Sequence, residues 1–225
     1  MELEYKGLKS SNVWDYENGF YWFSNISRVN KLLAHYELYK NIVSIPGDIF
    51  ELGVYKGASL VRFATFRHSM ENDFSRKITA FDAFGAFPTD GVNLGDDLSF
   101  IERFEGAGGH GLELEELQQV LDRKGFRNID LVKGNVFDTL PQYLEKHPET
   151  RISLLHLDMD VMEPTTFALD LLYDRVVPGG LIVFDDYGTV AGETIAVDQF
   201  LADKNLKIQK TNFYKIPAYI QKVKT

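Results

Sequence analysis

Residues 48–59 read Asp-Ile-Phe-Glu-Leu-Gly-Val-Tyr-Lys-Gly-Ala-Ser, an apolar run followed by two glycines and the start of a helical pattern. The run predicts a buried strand that ends at Gly53, with a helix over residues 58–67. Gly53 permits a tight turn close to a ligand, and Gly57 lets the helix start against the strand. Because Tyr55 occupies the middle position, the turn is not the G-x-G-x-x-G of dinucleotide-binding proteins, and no phosphate-binding G-K-[ST] follows.

Strands and helices alternate along the rest of the chain. Strands are predicted at 48–52, 78–81, 129–132, 152–157 and 181–184, and helices at 58–67, 114–124, 139–147, 165–176 and 194–201. Residues 206–211 and 216–223 are predicted to close the chain as an antiparallel hairpin. This alternation is typical of a parallel sheet with helices on both faces, in which ligands bind at the carboxyl ends of the strands.

The first 45 residues differ from the rest of the chain in composition and in predicted secondary structure. Six aromatic residues crowd between positions 14 and 23, and a helix is predicted over 27–43. We interpret residues 1–45 as a helical, aromatic extension packed on a domain formed by residues 46–225; a homo-oligomer contact or a cover over a site are the alternatives. Residues 85–111 hold seven of the 18 glycines, which predicts a flexible lid beside the site rather than a plain surface loop.

Composition narrows the classes of function. The 225 residues suit one α/β domain, and the net charge of −9 disfavours nucleic-acid binding. The absence of cysteine excludes disulfides, thiolate metal sites and a cysteine nucleophile. The N-terminal residues lack a signal-peptide pattern, and no run approaches the ~18 apolar residues of a membrane span. We therefore expect a cytoplasmic protein with no membrane contact.

Polar residues at three strand ends indicate a nucleoside ligand. Asp82 follows the second predicted strand, where a carboxylate can accept hydrogen bonds from ribose hydroxyls; a helix cap or a solvated loop is the alternative. Glu51 beside the glycine turn suits a cationic group. Gly134 and Asn135 follow the third strand, where an adenine would pass, although Asn135 equally suits a turn. These features together favour S-adenosyl-L-methionine, a nucleoside without phosphates.

Four aspartates follow the last two parallel strands: Asp158, Asp160, Asp185 and Asp186. On adjacent strands their carboxylates would converge, and two like charges ~5 Å apart repel by about 3 kcal/mol at an effective dielectric of ~20. A hard divalent cation would relieve this repulsion, Mg²⁺ first, with Mn²⁺ or Ca²⁺ as alternatives. Otherwise the acids cap helices or lie in solvent and never meet. His156 is expected to be a packed core residue rather than a ligand.

The sequence resembles the macrocin O-methyltransferase family of class I methyltransferases, which act on sugar hydroxyls. The resemblance runs from Pro46 to Tyr187 and includes the segments Phe81-Asp82-Ala83-Phe84-Gly85-Ala86-Phe87-Pro88, Lys133-Gly134, Asp138-Thr139-Leu140-Pro141, Leu157-Asp158-Met159-Asp160, Glu163-Pro164-Thr165 and Pro178-Gly179-Gly180. It implies a Rossmann-like class I methyltransferase fold, with helices on both faces of a mostly parallel seven-stranded sheet that ends in an antiparallel C-terminal hairpin.

The resemblance also implies roles for individual residues. S-adenosyl-L-methionine would lie against Glu51, Gly53, Tyr55, Gly57, Ala58, Ser59, Asp82, Gly134, Asn135 and Asp158. The Mg²⁺ ligands would be Asp158, Asp185 and Asp186, and Asp160 would be the general base. Met159 and Val161-Met162 stand where members of the family often have a glycine and a following aromatic residue. The resemblance therefore does not define the shape of the acceptor site.

The implied function is Mg²⁺-dependent methylation of a hydroxyl on a small-molecule acceptor. A sugar is the expected acceptor, as a glycoside or a nucleotide-sugar, in a natural-product or polysaccharide pathway. A catechol-type Mg²⁺-dependent O-methyltransferase and a non-catalytic nucleoside-binding protein are the alternatives. The glycine spacing disfavours a nicotinamide-dependent reductase.

Overall fold

The computed structural model describes residues 2–202 and 204–223, which form an α/β fold around one central sheet. The strands are β1 (Glu4–Tyr5), β2 (Leu8–Lys9), β3 (Asp48–Leu52), β4 (Ile78–Asp82), β5 (Ile129–Lys133), β6 (Ile152–Leu157), β7 (Val176–Phe184), β8 (Gln209–Lys210) and β9 (Ala218–Gln221). The α-helices are α1 (Val13–Phe23), α2 (Ile26–Ile42), α3 (Ala58–Met70), α4 (Gly95–Gly108), α5 (Leu114–Arg123), α6 (Val136–Lys146), α7 (Met162–Leu172) and α8 (Ala191–Ala202). Among these described helices, none combines the length and apolarity needed to cross a bilayer.

Seven strands form the central sheet in the order β5-β4-β3-β6-β7-β9-β8. The five strands from β3 to β7 pair in parallel, whereas β9 runs antiparallel to β7 and β8. The chain moves outward from β3 to β5 and then returns to β6 on the other side of β3. Ligands of such sheets bind where the strand order reverses, at the carboxyl ends of the strands. The predicted fold, including its antiparallel C-terminal hairpin, is confirmed.

Successive strand residues enter two different cores because side chains alternate across a sheet. Ile49 packs into a cluster with Phe63 of α3 and Leu117 of α5. The next residue, Phe50, packs into a second cluster with Leu169 of α7. Every residue of β6 is buried. The sheet is therefore covered on both faces, which explains why its strands read as continuous apolar runs.

Two helices of the structure were not expected from the sequence. Residues 85–111 were interpreted as a glycine-rich flexible segment, but Gly95–Gly108 within them forms α4. The sequence analysis did not predict this helix, and the role of the segment as a lid stays a prediction. Within the aromatic extension, α1 precedes the predicted helix, which the structure places at Ile26–Ile42. α2 buries five of its residues, whereas α1 has no buried residue in the described chain. The division at residue 45 stays a prediction.

Candidate active site

A cavity of about 520 Å³ lies at the carboxyl ends of the parallel strands. One lining residue ends or directly follows each of these five strands: Gly53, Asp82, Gly134, Asp158 and Asp185. The volume is in the range typical of small-molecule sites. The topology therefore collects in one cavity the strand ends that the sequence singled out.

Most of the predicted site residues line this cavity. They are Gly53, Tyr55, Ala58, Ser59, Asp82, Gly134, Asn135, Asp158, Asp160, Asp185 and Asp186. In the described part of the chain, Glu51 and Gly57 are not among the lining residues. The Glu51 carboxylate is fully buried, accepts a hydrogen bond from the Ser59 hydroxyl, and has Oε1 3.5 Å from Nδ1 of His156. Gly57 starts α3 against Leu117. Both residues thus support the turn from the side that faces the core of the fold. Their predicted contact with a cofactor stays a prediction.

Gly53 is where the glycine turn touches the loop after β6. Its φ is +89°, and a Cβ on this residue would lie 1.9 Å from the carbonyl oxygen of Asp158. The Asp158 N–H also donates a hydrogen bond to the carbonyl of Leu52 at 2.9 Å. Only glycine fits this close approach of two backbones. The turn therefore fixes the position of the first aspartate of the cluster.

Asp82 holds the glycine turn from the neighbouring strand. Its Oδ2 accepts hydrogen bonds from the N–H groups of Val54 (2.7 Å) and Tyr55 (3.0 Å), and its Oδ1 accepts one from Phe84 (2.6 Å). The sequence interpretation assigned this carboxylate to ribose hydroxyls. The structure shows a backbone role in addition, and the ribose contact stays a prediction. Asn135 likewise caps α6, because its Oδ1 accepts a hydrogen bond from the Phe137 N–H at 3.1 Å.

The four aspartates after β6 and β7 lie together at the cavity. Asp158, Asp185 and Asp186 each offer a carboxylate oxygen, and the three oxygens lie within 4.8 Å of one another. Burial raises the pKa of Asp158 and Asp186, and the charge of Asp185 raises both further. Burial, followed by the charge of Asp186, raises the pKa of Asp160. Asp160 also has a φ of +64°, a strained conformation of the kind concentrated at functional sites.

Asp185 remains charged because cationic and polar side chains surround it. Lys31 of α2 donates to its Oδ2, and Oδ1 lies 3.4 Å from Nε2 of His35 and 3.3 Å from Nε2 of His156. Burial alone would raise the pKa of Asp185, but its hydrogen bonds with the two histidines and the charge of Lys31 hold it well below the usual range. Asp185 is therefore the ionised centre of the cluster.

The two histidines at Asp185 differ in charge. Burial lowers the pKa of His35 to about 4, against the opposing effect of Asp185, so this ring is neutral. Burial also disfavours charge on His156, but hydrogen bonds with Asp185 and Glu51 raise its pKa to about 10. His156 is thus a protonated, fully buried core residue, consistent with its expected packing role.

Several residues of the site were missed by the sequence analysis. Arg28, Lys31 and His35 of α2 line the cavity together with Arg62 of α3. The first three recur at intervals of three and four and so share one helix face, which is the one signal that could have found them. Glu193 of α8 is fully buried and accepts a hydrogen bond from the Asp186 N–H at 2.9 Å, and burial raises its pKa well above the usual range.

α4 closes one side of the cavity. Phe104 and Glu105 of this helix line the cavity, and the Phe104 ring lies 5.0 Å from that of Tyr55. The Tyr55 hydroxyl donates to the Gly108 carbonyl at 2.8 Å, and Glu105 accepts from the Phe87 N–H at 2.7 Å. Residues 85–111 thus cover the site in this structure. Their predicted movement as a lid stays a prediction.

A model of the macrocin O-methyltransferase family matches residues 27–222. The chain belongs to the macrocin O-methyltransferase family. This macrocin O-methyltransferase homologue is 30% identical over 149 residues to 8-demethyl-8-(2,3-dimethoxy-alpha-L-rhamnosyl)-tetracenomycin-C 4'-O-methyltransferase of Streptomyces olivaceus, a match that covers 64% of this chain and 54% of that protein. It is 28% identical over 191 residues to demethyldecarbamoylnovobiocin O-methyltransferase of Streptomyces niveus, covering 76% and 66%. The chain therefore matches only part of the length of these relatives.

The solved structure of CalS11, a TDP-rhamnose 3'-O-methyltransferase of calicheamicin biosynthesis, is similar to this macrocin O-methyltransferase homologue. The two share 26% identity with a TM-score of 0.66, over 94% of this chain and 86% of that one. The predicted family and the methyltransferase fold are confirmed.

Proposed function

We propose that this protein transfers the methyl group of S-adenosyl-L-methionine to a sugar hydroxyl in a natural-product pathway, with Mg²⁺ bound by aspartates and Asp160 as the base. The observation that carries the proposal is the meeting of four aspartates in the cavity that the glycine turn also lines. The names of its relatives support a glycosylated or nucleotide-linked acceptor, because they include a rhamnosyl-tetracenomycin 4'-O-methyltransferase and a TDP-rhamnose 3'-O-methyltransferase.

The proposed cofactor site extends along the strand ends. The methionine part would lie against Gly53, Tyr55 and the start of α3, where Ala58 and Ser59 line the cavity. The ribose would face Asp82, and the adenine would face Gly134 and Asn135. This arrangement leaves Asp158 between the cofactor and the acid cluster, since its loop touches Gly53.

The aspartates fit a hard divalent cation better than the histidines do. Asp158, Asp185 and Asp186 line the cavity and offer oxygen donors within 4.8 Å of one another, which suits Mg²⁺. His35, His156 and Asp185 also bring donor atoms within 4.8 Å, but imidazole nitrogens suit softer metals than Mg²⁺, and the fully buried His156 is not among the described residues that line the cavity. When bound, the ion would supply positive charge that stabilises the acceptor oxygen as it loses its proton.

In this proposal Asp160 accepts that proton. A sugar hydroxyl is a weak acid, so a more basic carboxylate accepts its proton more readily. Burial, followed by the charge of Asp186, raises the pKa of Asp160, and Asp160 must be ionised before it can act as the base. The apolar side chains of Phe87, Phe104 and Met159 line the same cavity, and in the proposed complex they would exclude water. Exclusion of water favours the reaction, because the positive charge of the sulfonium donor disappears during transfer.

The proposal is tested with S-adenosyl-L-methionine labelled in its methyl group, incubated with nucleotide-sugars, sugar glycosides and catechols. We expect Mg²⁺-dependent labelling of a sugar, its loss in EDTA, and its loss in Asp160→Asn with cofactor affinity retained. Asp170→Asn, on an exposed position of α7, is the matched control and should label at the wild-type rate.

Each component of the proposal has a result that would refute it. Labelling of catechols alone would refute the sugar acceptor. Full labelling in EDTA would refute the metal, and full labelling by Asp160→Asn would refute the base. Cofactor binding without transfer to any acceptor would favour the non-catalytic alternative.

A further inference from the structure

Two arginines that line the cavity have no charged partner within the protein. Arg28 lies on α2 and Arg62 on α3. Among the described residues, neither guanidinium group forms a hydrogen bond or an ion pair, whereas the neighbouring Lys31 is paired with Asp185. Both arginines therefore offer their donors to a ligand in the cavity.

The two guanidinium groups are close enough to affect each other. Arg62 is half-buried, and burial lowers its pKa; the charge of Asp185 opposes this effect, and the charge of Arg28 adds to it. Arginine side chains do not deprotonate in proteins, so both groups carry their full charge. Two like charges at one cavity repel, and an anion that contacts both of them would relieve this repulsion.

Arg28 also lies at the electrostatically unfavourable end of its helix. α2 begins at Ile26, and its first turn, which the structure describes in full, contains Arg28 but no acidic residue. The N-terminal end of a helix carries a partial positive charge, which favours anions there and disfavours cations. A bound anion would therefore offset the helix end together with the two arginines.

The position of Arg28 relates it to the acceptor rather than to the cofactor. Arg28, Lys31 and His35 share one face of α2, and Lys31 and His35 contact Asp185. Arg28 lies about 4.5 Å further along the helix axis, toward the N-terminus of α2. Asp185 is a proposed ligand of the metal ion at which the acceptor hydroxyl reacts. An anionic group attached to the acceptor sugar would therefore be within reach of Arg28.

The number and type of donors suit a diphosphate. A planar guanidinium group binds phosphate through two parallel hydrogen bonds, which makes arginine common at phosphate sites. The diphosphate of a nucleotide-sugar is attached directly to the sugar and carries two negative charges, one for each arginine. A neutral glycoside offers no such charge, and the methionine part of the cofactor has a single carboxylate. Because the whole chain has a net charge of −9, the attraction of an anion must come from this local pair.

We propose that Arg28 and Arg62 form an anion subsite that binds the diphosphate of a nucleotide-sugar. The sugar is then methylated in this activated form, before a glycosyl transfer attaches it to its final acceptor. The inference rests on the proposed methyl transfer to a sugar hydroxyl and narrows the acceptor to one chemical class. The reacting hydroxyl would face Asp160, and the diphosphate would face α2 and α3.

Binding without turnover tests the subsite separately from the reaction. Thymidine diphosphate and uridine diphosphate, with phosphate-free thymidine and uridine for comparison, are titrated by calorimetry into the protein in the presence of S-adenosylhomocysteine. EDTA is included so that a diphosphate cannot bind through a metal ion. The variants are Arg28→Gln and Arg62→Gln. The control is Arg123→Gln, which removes one positive charge from an exposed position of α5 that does not line the cavity.

We expect the wild type and Arg123→Gln to bind at least one of the two diphosphates with equal affinity, and to bind the corresponding nucleoside more weakly. Arg28→Gln and Arg62→Gln should each weaken diphosphate binding at least tenfold, because each removes a charge-assisted contact. The affinity for S-adenosylhomocysteine should be the same in all four proteins. Arg28 is exposed, so Arg28→Gln keeps the test valid even if Arg62→Gln fails to fold.

A wild type that binds neither diphosphate would overturn the subsite, as would diphosphate binding that neither arginine variant weakens. The subsite is also wrong if Arg62→Gln weakens the binding of S-adenosylhomocysteine but not that of 5'-methylthioadenosine, which lacks the methionine part. The arginine would then hold the carboxylate of the cofactor.

A transfer assay distinguishes failure of the subsite from failure of the proposed function. Equal kcat/KM values for a nucleotide-sugar and for the methyl glycoside of the same sugar would refute the subsite and leave the proposed methyl transfer standing. Arginine-dependent diphosphate binding without methyl transfer to any sugar would support the subsite and refute the proposed function.

Discussion

Gly53→Ala tests the contact between the glycine turn and the aspartate loop. At φ +89° a residue with a Cβ pays about 1–2 kcal/mol of backbone strain. The new Cβ would lie 1.9 Å from the Asp158 carbonyl oxygen, whereas real Cβ contacts are essentially never shorter than 3.0 Å. One of the two backbones must therefore move by at least about 1.1 Å. Forced overpacking of this kind costs a further 1–3 kcal/mol or so.

The displacement falls on residues proposed to act in catalysis. Asp158 is a proposed metal ligand, and Asp160 follows it by two residues. A misplacement of about 1 Å in a catalytic site can lower the rate ~100-fold. We therefore expect Gly53→Ala to lower the free energy of unfolding by roughly 2–5 kcal/mol and the methyl-transfer rate by at least ~100-fold.

Gly125→Ala is a control that separates the cost of backbone strain at positive φ from the cost of a steric clash. Gly125 has a similar φ of +72°, but a Cβ there meets no atom of the described chain within 4 Å. Urea unfolding should show a loss of only about 1–2 kcal/mol for this control, and its transfer rate should equal that of the wild type. If Gly53→Ala proves as stable as Gly125→Ala, or reacts at the wild-type rate, the close contact in the structure is wrong.

Three further predictions concern the acids and His156. Asp82→Ala leaves three backbone N–H groups without their acceptor, so we expect a loss of roughly 2–4 kcal/mol in urea unfolding and weaker cofactor binding in calorimetry; unchanged affinity would remove Asp82 from the site. Asp186→Asn should raise the Mg²⁺ concentration for half-maximal transfer at least tenfold, and an unchanged requirement would reject it as a ligand. The pKa of His156 is raised from 6.5 to about 10, so its stabilisation is complete below pH 6.5 and disappears as the pH rises through about 10. In EDTA, the Tm difference between wild type and His156→Gln should therefore be larger at pH 6 than at pH 10, and a constant difference would show that His156 is neutral in the fold.

The strand ends were predictable because parallel strands carry a strong local signal. A short apolar run that stops at glycine or aspartate indicates both a strand and its carboxyl end. Gly53 directly follows β3 in this way, and Asp158 directly follows β6. All five carboxyl ends share one edge of the sheet, so the order of strands and helices is enough to predict that the residues at these ends lie close together. The aspartates therefore could be assigned to one site from the sequence alone.

α4 was missed because its local signal is poor. Its 14 residues include Gly95, Gly106 and Gly108, and glycine disfavours helix by about 1 kcal/mol each. Contacts distant in sequence hold it instead: Asp97 accepts from the Met162 N–H at 2.7 Å, and Gly108 accepts from Tyr55. Tertiary contacts of this kind leave no pattern in the segment itself.

The backbone role of Asp82 was missed for a different reason. A carboxylate at a strand end can accept hydrogen bonds from a ligand or from a neighbouring turn, and spacing does not distinguish the two. The choice depends on the path of residues 53–55, which lie on the adjacent strand's turn almost thirty positions earlier in the chain. That path is set by packing of the sheet rather than by the sequence around Asp82.

One of the two cationic groups at Asp185, Lys31, lies outside the motif-bearing region, whereas the other, His156, lies on β6 within it. Lys31 and His35 contact Asp185 from α2, whereas the acids follow β6 and β7. Asp185 is almost fully buried, and removing one partner from a buried ion pair costs about 3–5 kcal/mol. Residues 26–42 are therefore required by the electrostatics of the site, although they lie on the other side of the division predicted at residue 45.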